Sequence, residues 1–217
     1  MIFHVLNRGN DQRQIFDDDG DFAAFERTLA AALDAVPVRL LAYCLMHNHW
    51  HLLVWPRSDG QLAAFMQRLT TTHVRRWHRH RGSDGKGHLY QGTYKSFPVQ
   101  DDPHFLIVAR YVERNALRAG LVRRAENWRW CSLWRRERGS PQERGLLSEW
   151  PVERRSDWLA WVNAPQTAKE LSELRESLKR GRPFGDPKWQ IATAKQLNLE
   201  STFRPRGRPR KKAAAPE

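Results

Sequence analysis

The sequence has little cysteine, no apolar stretch of membrane-spanning length and no recognisable signal peptide. Its two cysteines, Cys44 and Cys131, are too few for a disulfide framework. No apolar run is long enough to cross a bilayer, and the N-terminus lacks a basic start and a small-residue cleavage site. These absences argue against disulfide-stapled and membrane classes, and we expect a soluble protein of a reducing cytoplasm.

Two common catalytic patterns are also missing. Residues 82–87 are rich in glycine, but Lys86 precedes the last glycine instead of following it as in a nucleotide-binding loop, so we expect a connector there. Leu53 and Val54 follow a His-x-His pair at the positions where dinuclear metallohydrolases have Asp and His. That class of hydrolase is therefore disfavoured.

Acidic residues are scarce relative to basic ones. The 217 residues include 37 Lys and Arg against 24 Asp and Glu, which gives a formal net charge of +13. An excess of this size indicates a polyanionic partner, nucleic acid before membrane. The length suggests one main domain plus something smaller.

The hydrophobic pattern predicts alternating strands and helices. Strands are expected at residues 2–6, 38–46, 49–55 and 88–99, and helices at about 20–35, 62–80 and 103–119. This order predicts an α+β fold of the split β-α-β type, an antiparallel sheet with helices on one face. The other face is then free to carry a site. Beyond residue 135 we expect a mostly helical, basic extension, with residues 139–147 as a loop.

The segment around His49 and His51 is the main candidate for chemistry. The two histidines flank Trp50 in an apolar run that reads as a strand, so both point to one face and can hold one cation. The alternative to metal binding is that both histidines are partly buried and hydrogen-bonded to neighbouring residues. His47 lies on the same predicted face, as a third ligand or at the strand edge.

A tyrosine and an asparagine supply the complementary groups. Tyr111 and Asn115 lie one turn apart on the predicted helix 103–119, where they present a phenolic oxygen and an amide carbonyl together. A tyrosine beside a divalent cation and a basic surface can attack a backbone phosphate and form a covalent phosphotyrosine. A packing role for Tyr111 is the plainer alternative.

Several basic segments are candidates for nucleic-acid contact. The far half of helix 62–80 carries Arg75 and Arg76. Residues 128–136 alternate tryptophan with arginine, which indicates either a stacking surface for unpaired bases or a packing strip. Arg-Gly-Arg-Pro occurs twice, around Arg182 and at residues 206–209, a pattern suited to a narrow minor groove or to a flexible linker.

Taken in order along residues 1–135, several motifs resemble the REP-associated tyrosine transposases of the HUH (His-hydrophobic-His) single-tyrosine superfamily. They lie at residues 7–10, 46–53, 87–96, 110–115 and 118–122. The resemblance implies a ferredoxin-like domain at 1–135 followed by the extension at 136–217. It also implies a bacterial protein that binds Mg²⁺ or Mn²⁺ and cleaves and rejoins single-stranded or hairpin DNA.

The resemblance also implies residue roles. His49, His51 and Asn115 would bind the cation, and Tyr111 would be the nucleophile that leaves a 5′-phosphotyrosine and a free 3′-hydroxyl. We expect a monomer or a homodimer. The candidate DNA-binding residues are Arg8, Arg75, Arg76, Lys95, Arg182, Arg206, Arg208 and Arg210. Two alternatives remain, a non-catalytic DNA-binding derivative and a replication or relaxation nuclease with the same core motif.

Overall fold

A computed structural model describes residues 1–83 and 87–204 of the chain. The strands are β1 (Ile2–Arg8), β2 (Arg39–Met46), β3 (His49–Trp55) and β4 (Lys95–Val99). The longer helices are α1 (Asp19–Ala35), α2 (Gln61–His80), α3 (Pro103–Glu113), α8 (Ala168–Arg180) and α9 (Pro187–Gln196). The shorter helices are α4 (Asn115–Arg118), α5 (Ser132–Arg138), α6 (Pro141–Arg144) and α7 (Trp158–Asn163).

The four strands form one antiparallel sheet in the order β2-β3-β1-β4. With α1 between β1 and β2 and α2 between β3 and β4, this is the ferredoxin-like arrangement, and the predicted α+β class is confirmed. β1 therefore lies between β3 and β4, so Leu6 pairs with His51 on one side and with Lys95 on the other.

Helices cover both faces of the sheet, which corrects the expectation that one face is free. α1 and α2 pack on the face of Trp50 and Leu52, as expected. α3 packs on the opposite face against Leu53, where Trp158 of the C-terminal extension also lies. The physical reason is that β3 is buried on both sides along its centre, so both faces need an apolar cover.

Capping side chains fix where the helices begin. The Asp18 carboxylate accepts from the backbone N–H of Asp21 and thereby caps α1. The Asp102 side chain caps α3 in the same way, with Pro103 in the first turn. α3 therefore begins where the sequence predicts.

Three predicted elements need correction. The strand expected at 88–99 is regular only from Lys95, because the preceding residues form an irregular segment. The helix expected at 103–119 ends at Glu113 and resumes as α4. The loop expected at 139–147 contains α6, which a Ser140–Glu143 capping box stabilises.

The described part of the C-terminal extension, residues 136–204, is mostly helical, as predicted, with α6 to α9 lying beyond residue 135. Both cysteines are buried and free. The division at residue 135 remains a prediction. Within the described ranges, none of the helices is both long enough and apolar enough to cross a membrane.

The irregular segment before β4 is anchored by a buried network. The Tyr90 hydroxyl is hydrogen-bonded to Nδ1 of His73, at 2.5 Å, and accepts from Nε1 of Trp50, at 3.0 Å. A backbone bond from the Gln91 N–H to the Arg8 carbonyl, at 2.9 Å, ties the segment to β1. These contacts hold residues 91–94 beside the open end of the sheet.

We expect His73 to make stability fall in mild acid. Burial lowers the pKa of His73 to about 3, whereas the unfolded chain protonates near 6.5. The stabilisation is therefore complete above pH 6.5 and is lost as the pH falls, by about 2 kcal/mol at pH 5. Urea unfolding of wild type and His73→Phe at pH 7 and pH 5 measures this.

Between pH 7 and pH 5, unfolding of wild type should take up about one proton more than unfolding of the His73→Phe variant. The unfolding free energy of the variant should therefore depend less steeply on pH. Phe65→Leu, in the same helix, is the matched control, since it should destabilise equally at both pH values. An unchanged pH dependence in His73→Phe would show that His73 is not held neutral.

Candidate functional site

β3 brings His49 and His51 together on the face of the sheet that α3 covers. Their ring centroids lie 5.1 Å apart with the planes at 81°. In the register with β1, Arg8 lies opposite His49 and Leu6 opposite His51. The predicted pairing of the two imidazoles on one face follows from the strand alternation.

Neighbouring side chains orient both imidazoles through the same ring atom. Nδ1 of His49 bonds to Oδ1 of Asn48 at 2.6 Å, and Nδ1 of His51 bonds to Nε2 of His4 at 2.9 Å. Both contacts leave Nε2 of each ring as the atom that can bind a cation. This pattern of an outer partner on the second ring nitrogen is typical of metal-binding histidines.

Burial keeps the two histidines neutral at physiological pH. Burial, and then the charges of Arg8 and Arg118, lower the pKa of His49 to about 4. The pKa of His51 is lowered well below its ordinary value, again mainly by burial and then by neighbouring rings and arginines. A neutral imidazole has a free lone pair for a cation, so neither ligand needs to lose a proton at pH 7.

α3 places Tyr111 against this pair. The Tyr111 ring meets His51 edge to face, with centroids 5.7 Å apart and planes at 86°. Its side chain is largely buried, at 5% exposure. A phenol and two imidazoles from distant segments thus meet within one chain.

Arg118 of α4 links the phenol to the amide of Asn115. One Nη2 atom lies 3.2 Å from the Tyr111 hydroxyl and 3.1 Å from Oδ1 of Asn115. The guanidinium carbon also lies 4.3 Å from the centre of the Tyr111 ring. The Arg118 guanidinium therefore contacts both candidate groups of this segment, the Tyr111 phenol and the Asn115 amide.

Asn115 is buried and only partly satisfied. Its Nδ2 atom has no hydrogen-bond partner in the described part of the chain, and Oδ1 retains a lone pair beyond the bond from Arg118. No group of three or more His, Cys, Asp or Glu side chains within residues 1–83 and 87–204 is arranged to hold a metal ion. A cation here would thus depend on two imidazoles and one amide oxygen.

An open cavity of about 580 Å³ gives access to the Tyr111 and histidine side chains. Its basic lining residues are Arg8, Lys95, Arg118, Arg175 and Lys179. Two of the predicted DNA-binding residues, Arg8 and Lys95, therefore lie at the candidate site. A cavity with this many cationic side chains can accept a phosphodiester backbone.

The other predicted DNA-binding residues lie elsewhere. Arg75 lines a second cavity of about 780 Å³ that shares the 91–94 wall with the first. Arg76 donates to the Thr28 hydroxyl at 3.0 Å, and Arg182 donates to Gln190 at 3.2 Å in the C-terminal region. Arg206, Arg208 and Arg210 lie outside the described residues.

Two other motifs have packing roles. His47 lies in the turn between β2 and β3, where Nδ1 contacts the Phe16 carbonyl oxygen at 3.1 Å, so it does not join the histidine pair. In the aromatic and basic strip, Nε1 of Trp128 donates to the Leu45 carbonyl at 2.8 Å. Trp130 is 7% exposed, which favours the packing alternative for the strip.

His4 and Arg118 are the site residues that the sequence reading did not single out. His4 is on the central strand, two residues from the position opposite His51, and stacks on Phe97 at 4.8 Å. The period-2 alternation of β1 could have indicated it, once β1 was known to pair with β3. Arg118 lies three residues after Asn115, at helical spacing.

Comparisons with known proteins agree with the fold. The family model described as "Transposase IS200 like" matches residues 1–115. A REP-associated tyrosine transposase, solved bound to a REP hairpin, is similar with a TM-score of 0.51 and 14% identity, over 68% of this chain and 81% of that one. At that identity the likeness concerns the fold alone.

A putative transposase from Deinococcus radiodurans is more distant. It has a TM-score of 0.40 and 18% identity, over 52% of this chain and 88% of that one, and supports no conclusion. No curated protein matches the sequence.

Proposed function

The chain belongs to the IS200-like transposase family, and from this premise we propose a metal-dependent transposase and endonuclease for single-stranded DNA. It would cleave and rejoin DNA at palindromic, REP-type hairpins through a 5′-phosphotyrosine. The observation that carries this proposal is the 5.7 Å ring contact between Tyr111 and His51 inside a basic cavity.

Charge and likeness support hairpin DNA as the substrate. The chain has a net charge of +13, and the structurally similar transposase was solved with a REP hairpin. Arg8 and Lys95 line the candidate site from β1 and β4. We assign these two residues to phosphates next to the scissile bond, where they would position the strand without reading its sequence.

The donor set fits a divalent cation. His49 and His51 through Nε2, with Asn115 through its amide oxygen, would hold Mn²⁺ or Mg²⁺. Two imidazoles suit Mn²⁺ better than Mg²⁺, which prefers oxygen ligands. When bound, the cation would polarise the scissile phosphate and offset the charge that develops on it.

The phenol of Tyr111 is assigned to the attack on phosphorus. Its oxygen forms the new phosphate ester while the bond from phosphorus to the 3′ oxygen breaks, and the phenolic proton passes to solvent. The departing 3′ oxygen takes up a proton, so the step is a transesterification with no redox change. The Arg118 guanidinium, 3.2 Å from the phenolic oxygen, favours the negative charge that forms there.

Rejoining is the same step in reverse. A 3′-hydroxyl, from the same strand or another, attacks the phosphotyrosine and restores a phosphodiester together with the free phenol.

Removal of divalent cations should abolish the covalent product. We expect a hairpin oligonucleotide with single-stranded flanks to form a protein–DNA adduct in Mn²⁺ or Mg²⁺, and none in EDTA, because the phosphate is not activated without a cation. Denaturing gel electrophoresis measures the adduct, and peptide mass spectrometry should place the nucleotide on Tyr111.

A hairpin that binds tightly but gives no adduct with either cation would contradict this proposal. That result would leave the non-catalytic DNA-binding alternative. An adduct that persists in EDTA would instead contradict the role of the cation.

A further inference from the structure

The helix that carries Tyr111 is bound to the C-terminal extension by three neighbouring residues. Arg110, Glu113 and Arg114 all direct polar groups towards the region that contains α7 and the loop after it. This part of the chain lies beyond residue 115, where the match to the family ends. The contacts therefore join the nucleophile helix to a segment that the family match does not include.

Two arginines satisfy the backbone carbonyls around the end of α7. Arg110 donates to the carbonyl oxygens of Trp161 and Ala164, each at 2.8 Å, and of Pro165 at 3.0 Å. The last carbonyls of a helix lack partners within it, so these donors replace water there. Arg114 adds the carbonyls of Val162, at 2.9 Å, and Asn163, at 2.8 Å.

A buried carboxylate makes the third connection. Glu113 has no exposed surface, accepts from the Ser132 hydroxyl at 2.7 Å and accepts from Nε1 of Trp158 at 2.8 Å. Burial raises the pKa of Glu113, and its hydrogen bonds and nearby arginines oppose that shift. Loss of the Trp158 bond would leave a buried carboxyl oxygen without that partner, which is costly.

The extension also forms part of the site wall. Arg175, Leu178 and Lys179 of α8 line the same cavity as Tyr111 and the histidine pair. α8 follows α7 after a four-residue connection, and Glu170 in its first turn lies 3.4 Å from Arg110. The segment that holds α3 is thus continuous with the one that borders the cavity.

We propose that residues 158–170 form a clamp that holds α3 against the sheet, so that Tyr111 stays beside His51 of the same chain. Arg110, Glu113 and Arg114 act as positioning residues, and the catalytic meaning of the clamp rests on the proposed function. Displacing α3 would leave two guanidinium groups and a buried carboxyl without their partners. The extension is therefore part of the machinery that sets the nucleophile.

Hydrogen exchange of the DNA-free protein tests the clamp directly. We expect Arg114→Met and, separately, Trp158→Phe to speed exchange of the α3 amides by roughly tenfold or more, while β3 amides keep their rates. Arg155→Met is the matched control, because Arg155 stacks on Trp161 and pairs with Asp157 without bonding α3. Unchanged α3 exchange in both clamp variants would overturn the proposal.

Adduct kinetics then connect the clamp to the chemistry. Arg114→Met should slow adduct formation at saturating hairpin by roughly tenfold to a hundredfold, since a small displacement of a reacting group has effects of this size. Hairpin affinity should stay within about twofold, because phosphate contacts supply most of it. Arg114→Lys, which retains a cationic donor, should recover part of the rate.

The two proposals fail in different ways. If wild type forms no adduct but α3 exchange responds as expected, the clamp stands and the transposase chemistry fails. If wild type and all clamp variants form the adduct at the same rate, the chemistry stands and the positioning role fails.

Discussion

Replacement of Tyr111 by phenylalanine is expected to abolish the covalent protein–DNA adduct. The substitution removes the only atom that we assign to the attack, so adduct formation should fall by roughly 10³-fold or more, about 4 kcal/mol of barrier. The ring contacts with His51 and Arg118 are available to phenylalanine as well. The fold should therefore survive, with about 1 kcal/mol or less lost in unfolding free energy.

The measurement uses a labelled hairpin oligonucleotide with single-stranded flanks, followed by denaturing electrophoresis. Tyr94→Phe is the matched control, since Tyr94 lines the same cavity and is half-buried. The control should retain most of the adduct. An adduct in Tyr111→Phe, or one that maps to Tyr94, would show that the nucleophile has been assigned to the wrong residue.

Replacement of His49 by alanine is expected to separate cleavage from binding. Loss of one of two imidazole ligands should lower adduct formation by roughly a hundredfold or more and weaken Mn²⁺ binding by a similar factor. Hairpin affinity in EDTA should change by less than about threefold, because phosphate contacts supply most of it. Electron paramagnetic resonance of free Mn²⁺ and hairpin titration measure the two effects separately.

His47→Ala is the control for this variant. His47 is two residues away, but it contacts the Phe16 carbonyl and has no place in the histidine pair. It should bind Mn²⁺ as wild type does. If His49→Ala lost hairpin binding and cleavage to the same extent, the assignment of His49 to the cation would be wrong.

The histidine pair was predictable because its geometry is local. Strand alternation places residues 49 and 51 on one face whatever lies around them, and the apolar residues that flank them require a buried strand. The caps at Asp18 and Asp102 were equally local, since each acts within three residues of itself.

The strand predicted at 88–99 failed for a reason that lies outside the segment. Tyr90 is turned inward by bonds to His73 and Trp50, both distant in sequence, and the chain straightens only at Lys95. The mixed polar and aromatic pattern of 88–94 contains no trace of these partners. Local propensity therefore gave the wrong element, and tertiary contacts decided it.

The sequence by itself determined the order of strands and helices, the α+β class, the shared face of His49 and His51, and the excess of positive charge. The first three depend on the periodicity of apolar residues, which acts over a few positions. The charge depends on the composition alone. Only the tertiary structure decided that α3 covers the face expected to be free, and that Tyr111 meets His51 there. It also decided that His4 and Arg118 complete the site. The contact between His4 and His51 joins residues that are 47 positions apart in the sequence, and the position of Arg118 depends on where α3 ends and α4 begins.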